Sequence, residues 1–121
     1  MPLSNKLLNI LYFNRYLKKI ENFKSNPLES QSKVFFFLLR KASKTIWGKK
    51  YCYKNISSQN DFISAYKLFQ ERVPLSYYDD IKPWITRARQ GEKSVLWPGK
   101  VRWFSKSSGT TSDKSKFIPV T

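Results

Sequence analysis

The sequence has no histidine, a single cysteine, and only 8 acidic residues against 23 basic ones. Without histidine, no Ser-His-Asp or Cys-His machine can be assembled, and one cysteine cannot furnish a zinc site of the usual Cys/His kind. The lone Cys52 also precludes an internal disulfide, and a reducing, cytoplasmic setting is the simplest reading of that count. Long apolar runs are missing too. The longest, Val34 to Leu39, falls far short of the roughly 20 residues a membrane span needs, so no transmembrane helix is expected. The start, Met1-Pro2-Leu3-Ser4-Asn5-Lys6, lacks the ordered layout of a signal peptide.

What is present is aromatic and basic. The 121 residues are 40% hydrophobic and 17% aromatic, enough for one packed core and too much for a disordered basic tail. The formal charge of +15 invites a nucleic-acid or anionic-membrane reading. Its distribution argues against one: residues 1–54 carry 12 basic and 2 acidic groups, residues 55–121 carry 11 and 6, and neither half holds a compact basic block with a docking motif.

Leu3, Leu7, Ile10, Leu11, Phe13, Leu17 and Ile20 recur at helical spacing, predicting a core-facing helix over about Ser4 to Phe23. Asn26-Pro27 breaks it and starts a second, with Phe35, Leu38, Leu39, Ala42 and Ile46 on one face and Gly48 as its stop. Asp61-Phe62-Ile63 opens a third helical pattern that ends at Val73-Pro74. Ser76 with Asp79 resembles a helix N-terminus, Asp79 and Asp80 suit its amide-rich end, Pro83 predicts a second helical piece, and Gly91 a left-handed C-cap. Then the period changes. Ser94–Trp97 and Val101–Ser105 read as strands around a Pro98-Gly99 turn, and an apolar return follows at Phe117–Val120. Trp84, Trp97, Trp103 and Phe104 are expected in the core, and Cys52 as a small buried residue.

Between those last apolar stretches lies Lys106-Ser107-Ser108-Gly109-Thr110-Thr111-Ser112-Asp113-Lys114-Ser115-Lys116. Such a loop suits phosphate: Gly109 permits close backbone approach, successive amides can cradle an anion, and hydroxyls donate to phosphate oxygens. It is not a Walker A motif, because no Gly-Lys-Ser/Thr triplet is present. By composition alone, a flexible connector is the commoner explanation of such a loop.

The order of residues, however, resembles the phosphate-binding loop of the adenylate-forming superfamily of acyl-CoA synthetases, luciferases and peptide-synthetase adenylation domains. With Ile46-Trp47-Gly48-Lys49, Asp61-Phe62, Val73-Pro74-Leu75, Tyr78-Asp79-Asp80-Ile81-Lys82-Pro83-Trp84, Gly91-Glu92 and Lys116-Phe117-Ile118-Pro119 around it, the stretch from about residue 40 to 121 resembles the start of the auxin-responsive acyl-acid amido synthetase family of plants and its bacterial relatives.

The resemblance implies an α+β segment in which N-terminal helices precede short strands around a phosphate-binding loop, a piece of a large α/β adenylation domain. It implies ATP and Mg²⁺ as cofactors, and a carboxylic acid and an amine such as an amino acid as substrates. Ser107, Ser108, Gly109, Thr110, Thr111, Lys114 and Lys116 would hold the phosphates, with Lys116 as the catalytic cation and Lys114 the lesser candidate. Ser112 and Ser115 depart from the wider superfamily, which often has Gly and Pro there. The adenine site, the metal-binding carboxylate and a mobile C-terminal domain would lie downstream, so residues 1–121 are expected to be the N-terminal part of a longer enzyme and inactive alone. The alternatives are a small basic module binding nucleic acid or a partner, and a truncated reading frame without function.

Overall fold

The computed structural model describes residues 3–107 and 115–121. The chain divides after Phe35 into two compact units. Helix α1 (Leu3–Ser25) and the start of α2 (Pro27–Ala42) make the first unit, with Pro27 in the opening position where a missing amide costs nothing. Glu29 and Lys33, one turn apart, pair at 2.5 Å on the solvent side. Phe13, Leu17, Ile20 and Phe23 stand exposed instead of facing a core, because little more than one helix and the first turns of the next are available within this unit to cover them.

In the second unit the end of α2 leads into α3 (Ile46–Lys50), α4 (Tyr53–Ser57), α5 (Phe62–Arg72), α6 (Tyr78–Arg89), β1 (Trp103–Lys106) and β2 (Phe117–Val120). The secondary structure is thus mostly helical with a two-stranded antiparallel sheet, an α+β arrangement. Leu39, Ala42, Ile56, Ala65, Ile85, Ala88, Val95 and Val101 form its core, with Thr45 the one buried polar residue among those described.

Thr45 explains why α2 stops at Ala42 and Gly48 does not end a helix. Its hydroxyl donates to the Ala42 carbonyl at 2.6 Å and accepts from the Gly48 amide at 2.9 Å, closing one helix and capping the next. Gly48 lies inside α3, where a Cβ would collide with the Ala42 carbonyl oxygen.

The expected strand at Ser94–Trp97 does not form. Ser94 adopts a positive φ of 55°, its amide donates to the Gly99 carbonyl at 2.7 Å, and its hydroxyl accepts from the Gly99 amide at 3.0 Å, so the segment closes on itself around Pro98. The carbonyls of Ser94 and Val95 accept instead from the free amides of Ile46 and Trp47 at the start of α3. β1 therefore pairs across the Ser/Thr loop with β2, in the register Trp103 to Val120 and Lys106 to Phe117.

Helix α6 differs from expectation in two ways. Its start falls one residue later, where the Asp80 carboxylate accepts from the Tyr77 amide at 2.8 Å, while Ser76 donates to the Pro74 carbonyl. It also runs unbroken through Pro83, which forfeits only the bond to the Asp79 carbonyl in the first turn. Its other end is as predicted: Gly91 has φ 94°, and the bonds Glu92 N–H to Arg87 C=O and Gly91 N–H to Ala88 C=O make a Schellman close.

Candidate functional site

The phosphate-loop expectation falls on residues 107–116, of which the structure describes the neck. Ser107 donates its amide to the Lys116 carbonyl at 2.9 Å, and its hydroxyl accepts from the Lys116 amide at 3.1 Å. Ser107 is half-buried and Lys116 exposed. The other candidates, Ser108, Gly109, Thr110, Thr111 and Lys114, lie outside the described residues. Lys106, at the end of β1, adds a further cation next to the neck.

The neck leans on α6. The Phe117 amide donates to the Tyr78 hydroxyl at 2.8 Å, the Lys116 ammonium stands 5.6 Å from the centre of the Tyr78 ring, and the Arg89 guanidinium lies 3.6 Å from the centre of the Phe117 ring. Tyr78 was not singled out as a site residue by sequence reasoning. The signal was its place at the head of the Tyr78–Trp84 motif, a string read above as helix and turn punctuation.

The remaining motif residues form a scaffold for α6. Trp47 packs edge-on against Trp84 at 5.3 Å and lies 4.7 Å from Tyr51, and its indole N–H donates to the Tyr53 hydroxyl at 3.1 Å. Lys50 and Arg87 stand over the Trp84 ring at 4.9 and 5.2 Å, so this aromatic face is occupied by the protein's own cations rather than offered to a nucleobase. Arg87 also forks onto Glu92 through bonds of 2.7 and 2.6 Å, and that bond holds the Glu92 carboxyl below its ordinary range. Burial pushes the Tyr53 phenol up, partly offset by the Trp47 bond. Ile46-Trp47-Gly48-Lys49, Tyr78–Trp84 and Gly91-Glu92 are thus brought into one packed assembly behind the hairpin.

Trp103 is exposed, against its expected place in the core; β1 has only β2 beside it, and nothing among the described residues covers that face. Cys52 is likewise exposed, not buried. It sits between α3 and α4 at φ 56°, at the rim of a hollow of about 670 Å³ together with Lys44, Lys49 and Lys54.

Asp79 and Asp80 occupy the first turn of α6, where negative charge meets free amides, and Asp80 is engaged in closing it. The described residues contain no group of three or more His, Cys, Asp or Glu that could hold a metal. The donor set around the neck, a lysine, a hydroxyl and the sheet end, suits phosphate oxygens and does not suit Mg²⁺, which requires oxygen ligands such as carboxylates.

The described arrangement is a two-stranded hairpin that rests on α6 and carries Lys106 and Lys116 at its neck. The chain belongs to the GH3 family, matching the GH3 family N-terminal domain over residues 16–121. The match reaches further upstream than the motifs did, to the middle of α1. The chain is 32% identical over 105 residues to the indole-3-acetic acid-amido synthetase GH3.2 of Arabidopsis thaliana, covering 86% of this chain and 18% of that one. It is 30% identical over 106 residues to the indole-3-acetic acid-amido synthetase GH3.17 of the same plant, covering 87% and 16%. A jasmonoyl-L-amino acid synthetase of Nicotiana attenuata, JAR6, is 40% identical over 52 residues, covering 42% and 9%. The chain spans less than a fifth of the length of these curated relatives. No solved structure matches it. Among the described residues no helix is long and apolar enough to cross a membrane.

Proposed function

We propose that this chain supplies the phosphate-holding segment of an ATP-dependent acyl-acid amido synthetase acting in the cytoplasm. The observation that carries the reading is the neck of the hairpin: Ser107 and Lys116 bond to each other through backbone and hydroxyl, so both ends of a Ser/Thr/Gly loop are clamped together with Lys116 exposed beside it. Carboxylic acids and amino acids are the substrates to be tried first, a choice supported by the relatives' names, indole-3-acetic acid-amido synthetase and jasmonoyl-L-amino acid synthetase.

In the proposed reaction the substrate carboxylate oxygen attacks the α-phosphorus of ATP, the bond from that phosphorus to the β-phosphate oxygen breaks, and pyrophosphate leaves. The amine then attacks the acyl carbon and AMP departs with the former carboxylate oxygen. No protein nucleophile is needed, which agrees with a chain lacking histidine. Lys116 would neutralise charge developing on pyrophosphate, while Ser107, Ser108, Thr110, Thr111 and the backbone at Gly109 hold its oxygens and Lys114 adds charge at the far side. Ser107 and Lys116 at the neck carry no carboxylate, so a Mg²⁺ ion accompanying ATP would take its ligands from the phosphates and from residues other than these.

The test is a titration of the chain with ATP, GTP and inorganic tripolyphosphate, read at the backbone amides of Ser107 and Lys116. All three are expected to bind with similar affinity, since the loop reads phosphate and not base, and the chain alone is expected to show no ATP–pyrophosphate exchange. Absence of any shift at those two amides would contradict the phosphate-loop assignment.

A further inference from the structure

The apolar face of α1, expected from its spacing to turn toward a core, stands in solvent beside a row of cations. At about 3.6 residues per turn, Tyr12, Phe13, Tyr16, Leu17, Ile20 and Phe23 fall within an arc of about 140°. These six side chains are between 42% and 64% exposed. Asn14, Arg15, Lys18, Lys19 and Asn22 fall on the remaining arc. Lys24, in the last turn, is the one charge within the apolar arc, and its four-carbon stem lets the ammonium reach outward. The whole helix carries five cations and the single acid Glu21, and among the described residues none of Arg15, Lys18, Lys19 and Lys24 has an ion-pair partner. Where the two faces meet, Tyr12, Arg15, Tyr16 and Lys19 line a hollow of about 180 Å³, with the Lys19 ammonium 5.7 Å from the centre of the Tyr16 ring.

From this pattern we propose that α1 docks the chain on an anionic bilayer surface. The helix lies in the plane of the headgroups, with Phe13, Leu17, Ile20 and Phe23 toward the acyl chains and Arg15, Lys18 and Lys19 among the lipid phosphates. The proposal goes beyond the synthetase reading and stands without it. Among the described residues no helix is long and apolar enough to cross a membrane, so α1 lies on the bilayer and does not span it. The division of the helix into two faces is what names the occupant. An apolar stripe alone fits any covering surface, whereas a stripe bordered by unpaired cations fits one that is hydrocarbon inside and anionic at its edge. Tyr12 and Tyr16 stand at that border, where an apolar ring with a polar tip is suited to the depth at which hydrocarbon gives way to water. The hollow beside them offers two cations, Arg15 and Lys19, to one lipid phosphate. A second copy of α1 laid on this face would bring Lys19 and Lys24 against like charges. A nucleic acid would meet the cations and leave Leu17 and Ile20 in water, since neither stacks on a base.

The experiment is flotation of the 121-residue chain with vesicles of phosphatidylcholine and phosphatidylserine in equal parts, and with vesicles of phosphatidylcholine alone. It is run at about 0.15 M ionic strength, where diffuse attraction to a +15 chain is screened beyond roughly 8 Å. The wild type should bind the mixed vesicles about tenfold or more tightly than the neutral ones. Phe13→Gln with Ile20→Gln keeps the charge and a good helix former at both positions, and should weaken binding about fiftyfold. Arg15→Gln with Lys19→Gln should weaken it about twentyfold, whereas Lys49→Gln with Lys54→Gln, which removes the same charge from the second unit, should cost less than about threefold. All six side chains are exposed, so each pair is expected to fold, and circular dichroism checks that the helix content is kept. If the Phe13, Ile20 pair loses helix, the two charge pairs decide alone. Wild-type affinity in the Phe13, Ile20 pair, or an equal loss from the Lys49, Lys54 pair, means attraction by net charge alone and overturns the proposal. So does a wild type that does not float with the mixed vesicles; if it forms dimers that the Phe13, Ile20 pair abolishes, the face belongs to a second copy. Flotation of the 121-residue chain but not of a longer native polypeptide carrying it would give the face to the remainder of that polypeptide and likewise overturn the proposal.

Discussion

Thr45 carries more of the fold than its size suggests, because a hydroxyl that is fully buried must satisfy both its proton and its lone pairs. It does so by ending α2 and capping α3. Replacing Thr45 with Val keeps the volume and strands the Gly48 amide, and is expected to lower stability by about 1–2 kcal/mol in urea denaturation. Gly48→Ala should be worse, at about 3 kcal/mol or more, since the new methyl meets backbone oxygen that cannot step aside. Asp61, the N-cap of α5, offers a pH test. The Ser64 amide and hydroxyl hold its carboxyl below the ordinary value. A depressed folded pKa means that its stabilisation is present above about pH 4 and is lost as pH falls through the folded value. The exchange protection of the first-turn amides of α5, taken relative to an unfolded peptide at the same pH, should fall over that acid range in the wild type. It should stay flat in Asp61→Asn, which retains a capping oxygen without the titration.

Helices were legible in the sequence where period and punctuation agreed. The spacing from Leu3 to Ile20, the Asn26-Pro27 break, the helix opening at Asp61-Phe62 and the Gly91 close all stand at or within a few residues of where they were read. The strand misreading has its cause in a partner distant in sequence. Ser94–Trp97 has strand composition, yet its carbonyls are taken by the amides of α3, some fifty residues earlier, and no local pattern announces that. Gly48 looked like a stop because Thr45, a cap buried in the core, reads as an ordinary polar residue. The loop was legible as a string of residue types, whereas its bracing by Tyr78, 39 residues before Phe117, was not. The Schellman close of α6 gives this scale its prediction. Gly91 has φ 94° with only the end of the Lys100 side chain near a prospective Cβ, so Gly91→Ala should cost about 1 kcal/mol in thermal unfolding, from backbone strain and not from crowding.

On the scale of the whole chain, the two-stranded sheet is unfinished. Trp103, Ile118 and Val120 lie 74%, 53% and 51% exposed on strands that have no further neighbours among those described. Open strand edges with an apolar face invite pairing with other polypeptide. The isolated chain is therefore expected to self-associate in sedimentation as its concentration rises, and Ile118→Lys, which places charge on that face, should shift it toward monomer. A monomeric, cooperatively unfolding wild type would show that the face needs no cover. In the proposed synthetase the rest of an adenylation domain would supply that cover, and would also bring the nucleotide base, the metal ligands and the acid site to the loop; the match spans only 18% of one curated relative.

That account is tested most directly by the intact mass of the native polypeptide captured from its source cells with an antibody against this segment. A species several times the 14.3 kDa of the chain is the predicted result. A stable species of 14.3 kDa, with no longer form beside it, would contradict the assignment of this chain to a working synthetase.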